Sequence, residues 1–323
     1  MNQIPVLSII VPCYNSGKFI GSTVEMLLRQ DLSGCELILV NDGSTDDTLL
    51  ILQKYESAEN NILVIDQPNR GVSAARNTGM LAAHGRYVYF LDSDDTLTDG
   101  TLPHFKQVVS EHSDCQMFAF GYETRRDGVK VKKYVYLRFD NKHFSGRIFI
   151  RLFLSKKICV HICSSIYERN FLLDNQLFFK QGVRIGEDIL FLLQAMSQVE
   201  KVYHSARTSF IYQIRNDSTM QGYKSYSDEQ YESHVELCNY LFSMARQDKS
   251  ISKYVNFFLL FSYMSNLRYY LRSNLRSKEL NERFIADGTI RYKRNFIENI
   301  SYWIVMKMTV LIPLRIILRI LKS

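Results

Sequence analysis

Four short apolar runs recur through the first hundred residues, and the stretches between them have helical character. The runs are Val6–Val11, Glu36–Val40, Ile62–Ile65 and Tyr87–Leu91, built mostly from β-branched, leucine and aromatic residues. Apolar runs this short with little polar alternation predict strands buried on both faces, as in a parallel sheet covered by helices. A polar turn, Tyr14-Asn15-Ser16-Gly17, leads into a first helix ending near Gln30. Ser44-Thr-Asp-Asp47 has the character of a cap and acidic first turn. Gly71–Ala83 reads as a third helix, stopped by Gly85. The order βαβαβαβ predicts an α/β fold with a mostly parallel, doubly wound, Rossmann-like sheet and right-handed crossovers.

Carboxylates stand where such a sheet binds ligands, beyond the carboxyl ends of its strands. Asp92, Asp94 and Asp95 follow Tyr87–Leu91, and Asp42 follows the second run. Three carboxylates within four residues repel one another unless a cation offsets their charge. Hard divalent cations take oxygen ligands and bridge to phosphates, so the pattern points to a metal-dependent enzyme acting on a nucleotide or another phosphate compound. An acidic cap before a helix near Asp99 is the plainer alternative. For Asp42 the plain reading is an Asx turn, and the functional one is a contact to a base or ribose.

Two further segments carry chemistry. Asn69-Arg70-Gly71-Val-Ser73-Ala-Ala-Arg76-Asn77 joins a flexible glycine to a helix start and two guanidiniums. Helix N-termini favour phosphate, and arginine grips phosphate oxygens or stacks on a base. Gly186-Glu187-Asp188-Ile-Leu-Phe191 places two carboxylates at the start of an apolar helix. Helix-dipole compensation explains them, and so does a general base for an acceptor hydroxyl.

After residue 114 the pattern changes. Met117–Thr124 and Val129–Phe139 are expected as strands joined by a turn at Arg126-Asp127-Gly128, Ser145–Leu154 as a helix, Cys159–Tyr167 as a strand and Glu187–Met196 as a helix. Residues 226–274 are expected to be mainly helical, with a domain boundary near residue 225, so that 1–225 and 226–323 form separate regions. Six cysteines include no CxxC pair. Cys159-Val-His161-Ile-Cys163 is read as core packing rather than zinc ligation. With no charged leader before the first strand, a reducing cytoplasm is the expected compartment.

The net charge of +7 belongs to the end of the chain. Residues 251–323 hold 13 Lys and Arg against 4 Asp and Glu, whereas the first 250 hold 27 against 29. No nucleic-acid reader module accompanies the charge, and nucleic acid is not an expected partner. Tyr302–Leu321 is apolar but interrupted by Lys307, Arg315 and Arg319, which with Lys322 fall on one helical face, and Pro313 would kink the segment. It is too broken to span a bilayer and reads as an interfacial membrane helix. Packing on its own domain or in a homo-oligomer is the alternative. Lys130, Lys132, Lys133 and Arg138 form a basic run, read as a solvated face before an anionic acceptor or lipid site.

Taken in order, Leu7-Ser-Ile-Ile-Val-Pro-Cys-Tyr-Asn15, Val40-Asn-Asp-Gly-Ser-Thr-Asp-Asp-Thr48, Asn69–Gly79, Phe90-Leu-Asp-Ser-Asp-Asp95 and Gly186–Phe191 resemble bacterial glycosyltransferase family 2, with its glycosyltransferase A-type fold. The resemblance covers about residues 4–220. It implies inverting transfer of a sugar from a nucleoside diphosphate, usually UDP, with Mn²⁺ or Mg²⁺. On matching positions it implies that Pro12, Tyr14 and Asn15 line the base and ribose site. It further implies that Asp42 contacts the base, Arg76 the nucleotide, and Asp92, Asp94 and Asp95 the metal, with the direct ligands left open. Asp188 matches the catalytic base, and Glu187 would order its loop. Arg215 stands where many relatives carry His; it cannot ligate a cation but can neutralise a diphosphate.

Direct displacement of this kind needs one carboxylate base, unlike the carboxylate pair of glycoside hydrolysis. With the family and the tail, it implies a peripheral enzyme on the inner face of the cell membrane, acting on a lipid-linked or growing surface glycan. Two rivals are weighed. Asp92-Ser-Asp94-Asp95-Thr96 fits the DxDxT of haloacid-dehalogenase-type phosphatases, but three βα units precede it and no later acidic pair follows. A non-catalytic glycosyltransferase-like subunit binding membrane or a partner is the other.

Overall fold

The computed structural model describes residues 4–183, 185–215, 226–272 and 277–287. They fall into two compact units. The first comprises residues up to Ile150, Ile158–Val183 and Glu187–Arg215, and the second includes Arg151–Lys157 and the described residues beyond Arg215. The expected boundary near 225 and the basic segment Tyr302–Leu321 lie outside the described residues.

The first unit is built on one sheet. Strands β1 (Leu7–Cys13), β2 (Cys35–Asp42), β3 (Ile62–Gln67) and β4 (Tyr87–Phe90) alternate with helices α1 (Ile20–Leu28), α2 (Thr48–Ala58) and α3 (Val72–Ala82). β1 pairs in parallel with β2 and β4, and β2 with β3, as the apolar runs predict. β1 and β4 are buried along their whole length. Gly79 lets α3 lie close on this surface: a Cβ there would meet Ile10 Cγ2 at 2.4 Å and Val40 Cγ2 at 3.3 Å.

Beyond β4 the sheet becomes mixed. β5 (Thr96–Leu97) follows the acidic loop, and α4 (Thr101–Glu111) leads to β6 (Met117–Arg126) and β7 (Val129–Tyr134). Then come β8 (Lys142–Ser145), α5 (Gly146–Leu154), β9 (Ser165–Glu168), α6 (Arg169–Asp174), α7 (Glu187–Gln198) and β10 (Lys201–Ile214). The sheet order is β3-β2-β1-β4-β9-β6-β10-β5, with β7 on β6 and β8 on β10. β9 runs antiparallel to both β4 and β6, whereas β10 runs parallel to β6. The parallel expectation therefore describes the β1–β4 half, and the other half mixes antiparallel pairs with the parallel β6–β10 pair.

Three local expectations are corrected. Cys159–Tyr167 is not one strand: a 3-10 turn over Ile162–Ser164 precedes β9, closed by reciprocal hydrogen bonds between His161 and Ser164. The hairpin strand expected to reach Phe139 ends at Tyr134, before a 3-10 turn at Leu137–Phe139. β10, fourteen residues long, has no counterpart among the predicted strands. The hairpin lysines behave as a solvated face: Lys130 pairs with Glu123 at 3.0 Å, and Lys132 lies 4.7 Å above the Tyr134 ring.

The second unit is helical, as expected of the C-terminal region. α8 (Asp228–Gln247) starts at a capping box between Ser227 and Gln230. With α9 (Ser252–Arg272) and a helix over 278–287 it encloses a core that includes Tyr226, Tyr231, Leu260, Tyr263, Tyr270 and Phe284. No helix among the described residues is long and apolar enough to cross a membrane.

Candidate active site

The chain passes from β1 outward through β2 and β3, then returns to add β4 on the other side of β1. That reversal creates a crevice at the carboxyl ends of β1 and β4, where open α/β sheets take their ligands. Three loops meet there. Asn15, at φ 47°, accepts the Thr45 N–H on Oδ1 at 2.8 Å, and its own N–H donates to Ser44 Oγ at 3.0 Å. Ser16 Oγ and Ser93 Oγ share a 2.7 Å hydrogen bond, and Thr23 Oγ1 donates to the Ser93 carbonyl at 2.8 Å. The β1–α1 loop thus ties the β2–α2 loop to the acidic loop. Pro12 is buried within β1, whereas the Tyr14 ring is 53% exposed and available for stacking.

Asp42 is buried at the end of β2. It accepts Gln67 Nε2 at 2.7 Å and the Arg70 N–H at 3.0 Å on Oδ1, and the Gly71 N–H at 2.8 Å on Oδ2. A carboxylate offers about four acceptor sites, so roughly one remains for a ligand. Asp42 thereby occupies the two N–H groups just before α3. Gly71, at φ 85°, sits in a backbone conformation that side chains rarely adopt.

Arg76 is the centre of the site. Buried on α3, it donates through Nη2 to Asp92 Oδ1 at 2.7 Å and through Nη1 to Glu187 Oε1 at 3.2 Å. Its guanidinium lies 5.1 Å from the centre of the Phe179 ring, which stacks on Phe191 of α7 at 4.0 Å. Asn77, next on the helix, exchanges two hydrogen bonds with the Phe179 backbone. Arg76 of α3 therefore holds both the acidic loop and the start of α7, which carries Asp188, while Asn77 anchors Phe179, whose ring stacks on α7. Arg76, expected at the nucleotide, is engaged by protein carboxylates.

The acidic residues divide by environment. Burial opposes charge on Asp92, but Arg76 outweighs it and holds the carboxyl below the usual range. Asp94 faces Arg215: Nη1 lies 3.4 Å from Asp94 Oδ2, and Nη2 donates to the Asp94 carbonyl at 2.6 Å. The Arg215 guanidinium also lies 3.7 Å from the Phe19 ring centre. Asp95 turns inward. Its Oδ1 accepts the Gln213 N–H at 3.0 Å and its Oδ2 is buried without a hydrogen-bond partner. Burial, then the charges of Asp92 and Asp94, push its acid well above the usual range. Asp92 and Asp94, with side chains 28% and 34% exposed, are the carboxylates that face outward.

Asp188 stands in the first turn of α7 beside Glu187. Burial, then the neighbouring Asp188 charge, raise Glu187 to about 7, with Arg76 opposing. Two residues not foreseen at the site join it. Tyr212 of β10 feels the charges of Asp95, Asp92, Asp94 and Asp188, which with burial raise its phenol to about 12. His161 lies within reach of the charges of Asp188 and Asp92. Its only sequence signal was the His between two cysteines, read as a strand. Ligand atoms of Asp92, Asp95 and Cys163 also lie within 4.8 Å of one another. A buried thiol does not suit a hard cation, whereas Asp92 and Asp94 offer outward-facing carboxylate oxygens.

The fold and its crevice define an α/β protein of the glycosyltransferase A type. Residues 8–172 match the model of "Glycosyl transferase family 2". The chain is 31% identical over 251 residues to the uncharacterized glycosyltransferase EpsJ of Bacillus subtilis, covering 74% of this chain and 71% of that one. It is 30% identical over 226 residues to the minor teichoic acid biosynthesis protein GgaB of the same organism, covering 68% of this chain and 24% of that one. This chain belongs to glycosyl transferase family 2. Among solved structures, residues 1–349 of Staphylococcus aureus TarS in complex with UDP-GlcNAc superpose with a TM-score of 0.69 at 24% identity, covering 88% of this chain and 80% of that one, a likeness of fold.

Proposed function

We propose that this chain transfers a sugar, with inversion, from a UDP-sugar to a hydroxyl of a lipid-linked or growing surface glycan. The observation that carries the reading is the Arg76 clasp, which ties Asp92 of the loop after β4 and Glu187, beside Asp188 in the first turn of α7, to one crevice. The UDP donor is supported by the fold shared with TarS, solved with UDP-GlcNAc and with UDP. The acceptor class is supported by relatives named for teichoic acid synthesis and for poly(ribitol-phosphate) β-N-acetylglucosaminyl transfer. We place the enzyme on the cytoplasmic face of the cell membrane, held there by the basic C-terminal segment.

In this reading Tyr14 stacks on the base, and Asp42 offers it its remaining acceptor site. Asp92 and Asp94 supply the hard oxygen donors that suit Mn²⁺ or Mg²⁺, and such an ion would offset charge on the departing diphosphate. Asp188 takes the acceptor hydroxyl proton as that oxygen bonds to the anomeric carbon, while the anomeric carbon–oxygen bond to the diphosphate breaks and UDP leaves. General-base assistance contributes about 10²–10⁴-fold. Arg215, beside Asp94, carries positive charge to the diphosphate side.

Calorimetric titration with UDP, in Mn²⁺ and then in EDTA, tests the donor site with Asp94→Ala alongside. Binding that needs the metal and is lost in the variant is expected. A folded protein that binds no nucleoside diphosphate overturns the reading. Turnover of a UDP-sugar panel by wild type and Asp188→Asn then tests the base, with UDP affinity retained and turnover lost.

A further inference from the structure

A second group of metal-binding side chains lies away from the crevice. The turn between α4 and β6 closes where the Cys115 N–H donates to the His112 carbonyl at 2.9 Å. β4 and β6 both run antiparallel to β9, and therefore parallel to each other. The turn stands at the amino end of β6, so it occupies the opposite edge of the sheet from the crevice at the carboxyl end of β4. Neither the family resemblance nor the proposed function uses its residues.

Ligand atoms of Asp114, Cys115 and His143 all lie within 4.8 Å of one another. Cys115 Sγ and Asp114 Oδ1 are 3.7 Å apart. With Zn–S of about 2.3 Å and Zn–O of about 2.0–2.2 Å, the edge of a tetrahedral zinc site between such ligands spans about 3.6 Å. The thiol and the carboxylate thus already stand at ligation spacing. Lys201 Nζ pairs with the other oxygen, Asp114 Oδ2, which leaves Oδ1 to the thiol side. A ligating carboxylate is itself hydrogen-bonded in this manner. Thiolate and carboxylate together match the double charge of zinc, so the Lys201 ammonium can stay on the outer oxygen.

His143 comes from β8, opposite Tyr203 of β10. Its ring meets the His112 ring edge-on at 4.9 Å and the Tyr203 ring at 5.3 Å, and His112 stacks on Tyr203 at 4.0 Å. Asp114 and His143 are exposed, whereas Cys115 is buried. The group is open to solvent on one side and closed behind the sulfur. Burial raises the thiol to about 12, so without metal it keeps its proton; ligation replaces that proton with the ion and releases it to solvent. Thiolate, imidazole and carboxylate together suit zinc rather than the hard Mg²⁺ or Mn²⁺.

We propose that Asp114, Cys115 and His143 form a zinc site that clamps the turn between α4 and β6 to β8. Water takes the fourth position, and His112 holds the His143 ring in place. The site is independent of the reading of the crevice, and its contribution is to stability.

The test uses the full chain, stripped with EDTA and titrated with Co²⁺ alone. Cobalt bound by a thiolate absorbs by charge transfer in the near ultraviolet, whereas cobalt on carboxylates does not. A saturating charge-transfer band that Zn²⁺ displaces is expected, together with a zinc-dependent rise in melting temperature. Cys115→Ser should abolish both. His143→Ala should weaken Co²⁺ binding at least about tenfold. Cys163→Ala, which removes the buried thiol beside the acidic loop, should leave the band unchanged. No band from folded wild type, a band that survives Cys115→Ser, or an affinity unmoved by His143→Ala overturns the site. A band without the rise in melting temperature overturns the clamp. If Cys115→Ser does not fold, the exposed His143 decides the matter.

Discussion

Arg76→Met is the perturbation that most directly tests how the site is held. It keeps an unbranched apolar side chain on α3 but removes the only cation placed between Asp92 and Glu187 among the described contacts. Breaking a buried ion pair by deleting one partner costs about 3–5 kcal/mol, because the remaining charge is left uncompensated. Loss of the guanidinium over Phe179 adds about 0.5–2 kcal/mol. Glu187, already raised to about 7, will sit largely protonated once its opposing partner is gone, so the cost falls mainly on Asp92. The sign with pH follows. In the wild type Arg76 depresses Asp92, whose contribution is present above its unfolded value and lost as pH falls through the folded one. In the variant burial raises Asp92, and stability is lost as pH rises. The difference between the two proteins therefore widens with pH. Urea unfolding at pH 5.5 and pH 8 should show a loss of about 3–5 kcal/mol at pH 8 and distinctly less at pH 5.5. A loss below about 1 kcal/mol at pH 8, or the same loss at both, would refute the clasp.

Other outcomes follow from neighbouring residues. Glu187→Gln should flatten the stability profile. The native acid is raised from 4.5 to about 7, so its contribution is present below the lower value and lost as pH rises through the higher. At about 1.4 kcal/mol per pH unit, the variant should gain up to about 3 kcal/mol over wild type at pH 8, read by urea unfolding. Asp42→Ala leaves Gln67 Nε2 and the Arg70 and Gly71 N–H groups without their acceptor. A loss of about 2–4 kcal/mol and weaker UDP binding are expected by melting and calorimetry. Gly79→Ala drives a Cβ against Ile10 and Val40, and should cost about 1–3 kcal/mol by chemical denaturation, with site chemistry unchanged in the folded fraction.

The half of the fold that was legible is the half whose central strands, β1, β2 and β4, are buried on both faces. β1, apart from Ser8, and β4 are apolar because every position is covered, and the loops after β1, β2 and β4 carry the polar residues that meet in the crevice. β10 was hidden for the opposite reason. It buries His204, Ser205 and Ser209, and its pairing with β6 is broken by register shifts around Thr208, so neither continuity nor strict alternation marks it. The candidate residues were legible as types but not as partners. Arg76 reads locally as a phosphate-binding arginine, and only the packing of α7 against β4 neighbours shows which carboxylates it holds. Asp95 resembles Asp94 in sequence, yet the Gln213 N–H, supplied more than a hundred residues later, turns it inward. His161 could not be placed from spacing, since its position depends on a 3-10 turn where a strand was expected.

The pairing of β5 with β10 has a consequence for biosynthesis. The segment Asp94–Thr101 receives its partners from 108 to 121 residues downstream: Ser209 for Thr101, Phe210 and Ile211 for the β5 strand, and Arg215 for Asp94. At a translation rate of about 5–20 residues per second, the acidic loop leaves the ribosome roughly 5–25 s before the strand that secures it. During that interval β1–β4 can already pair, since all four precede the loop. The nascent chain thus holds a formed half-sheet in which Asp94 and Asp95 still lack their downstream partners, and a stalled or truncated chain ending before Arg215 would carry most of the family's signature residues without the full arrangement that makes them a site.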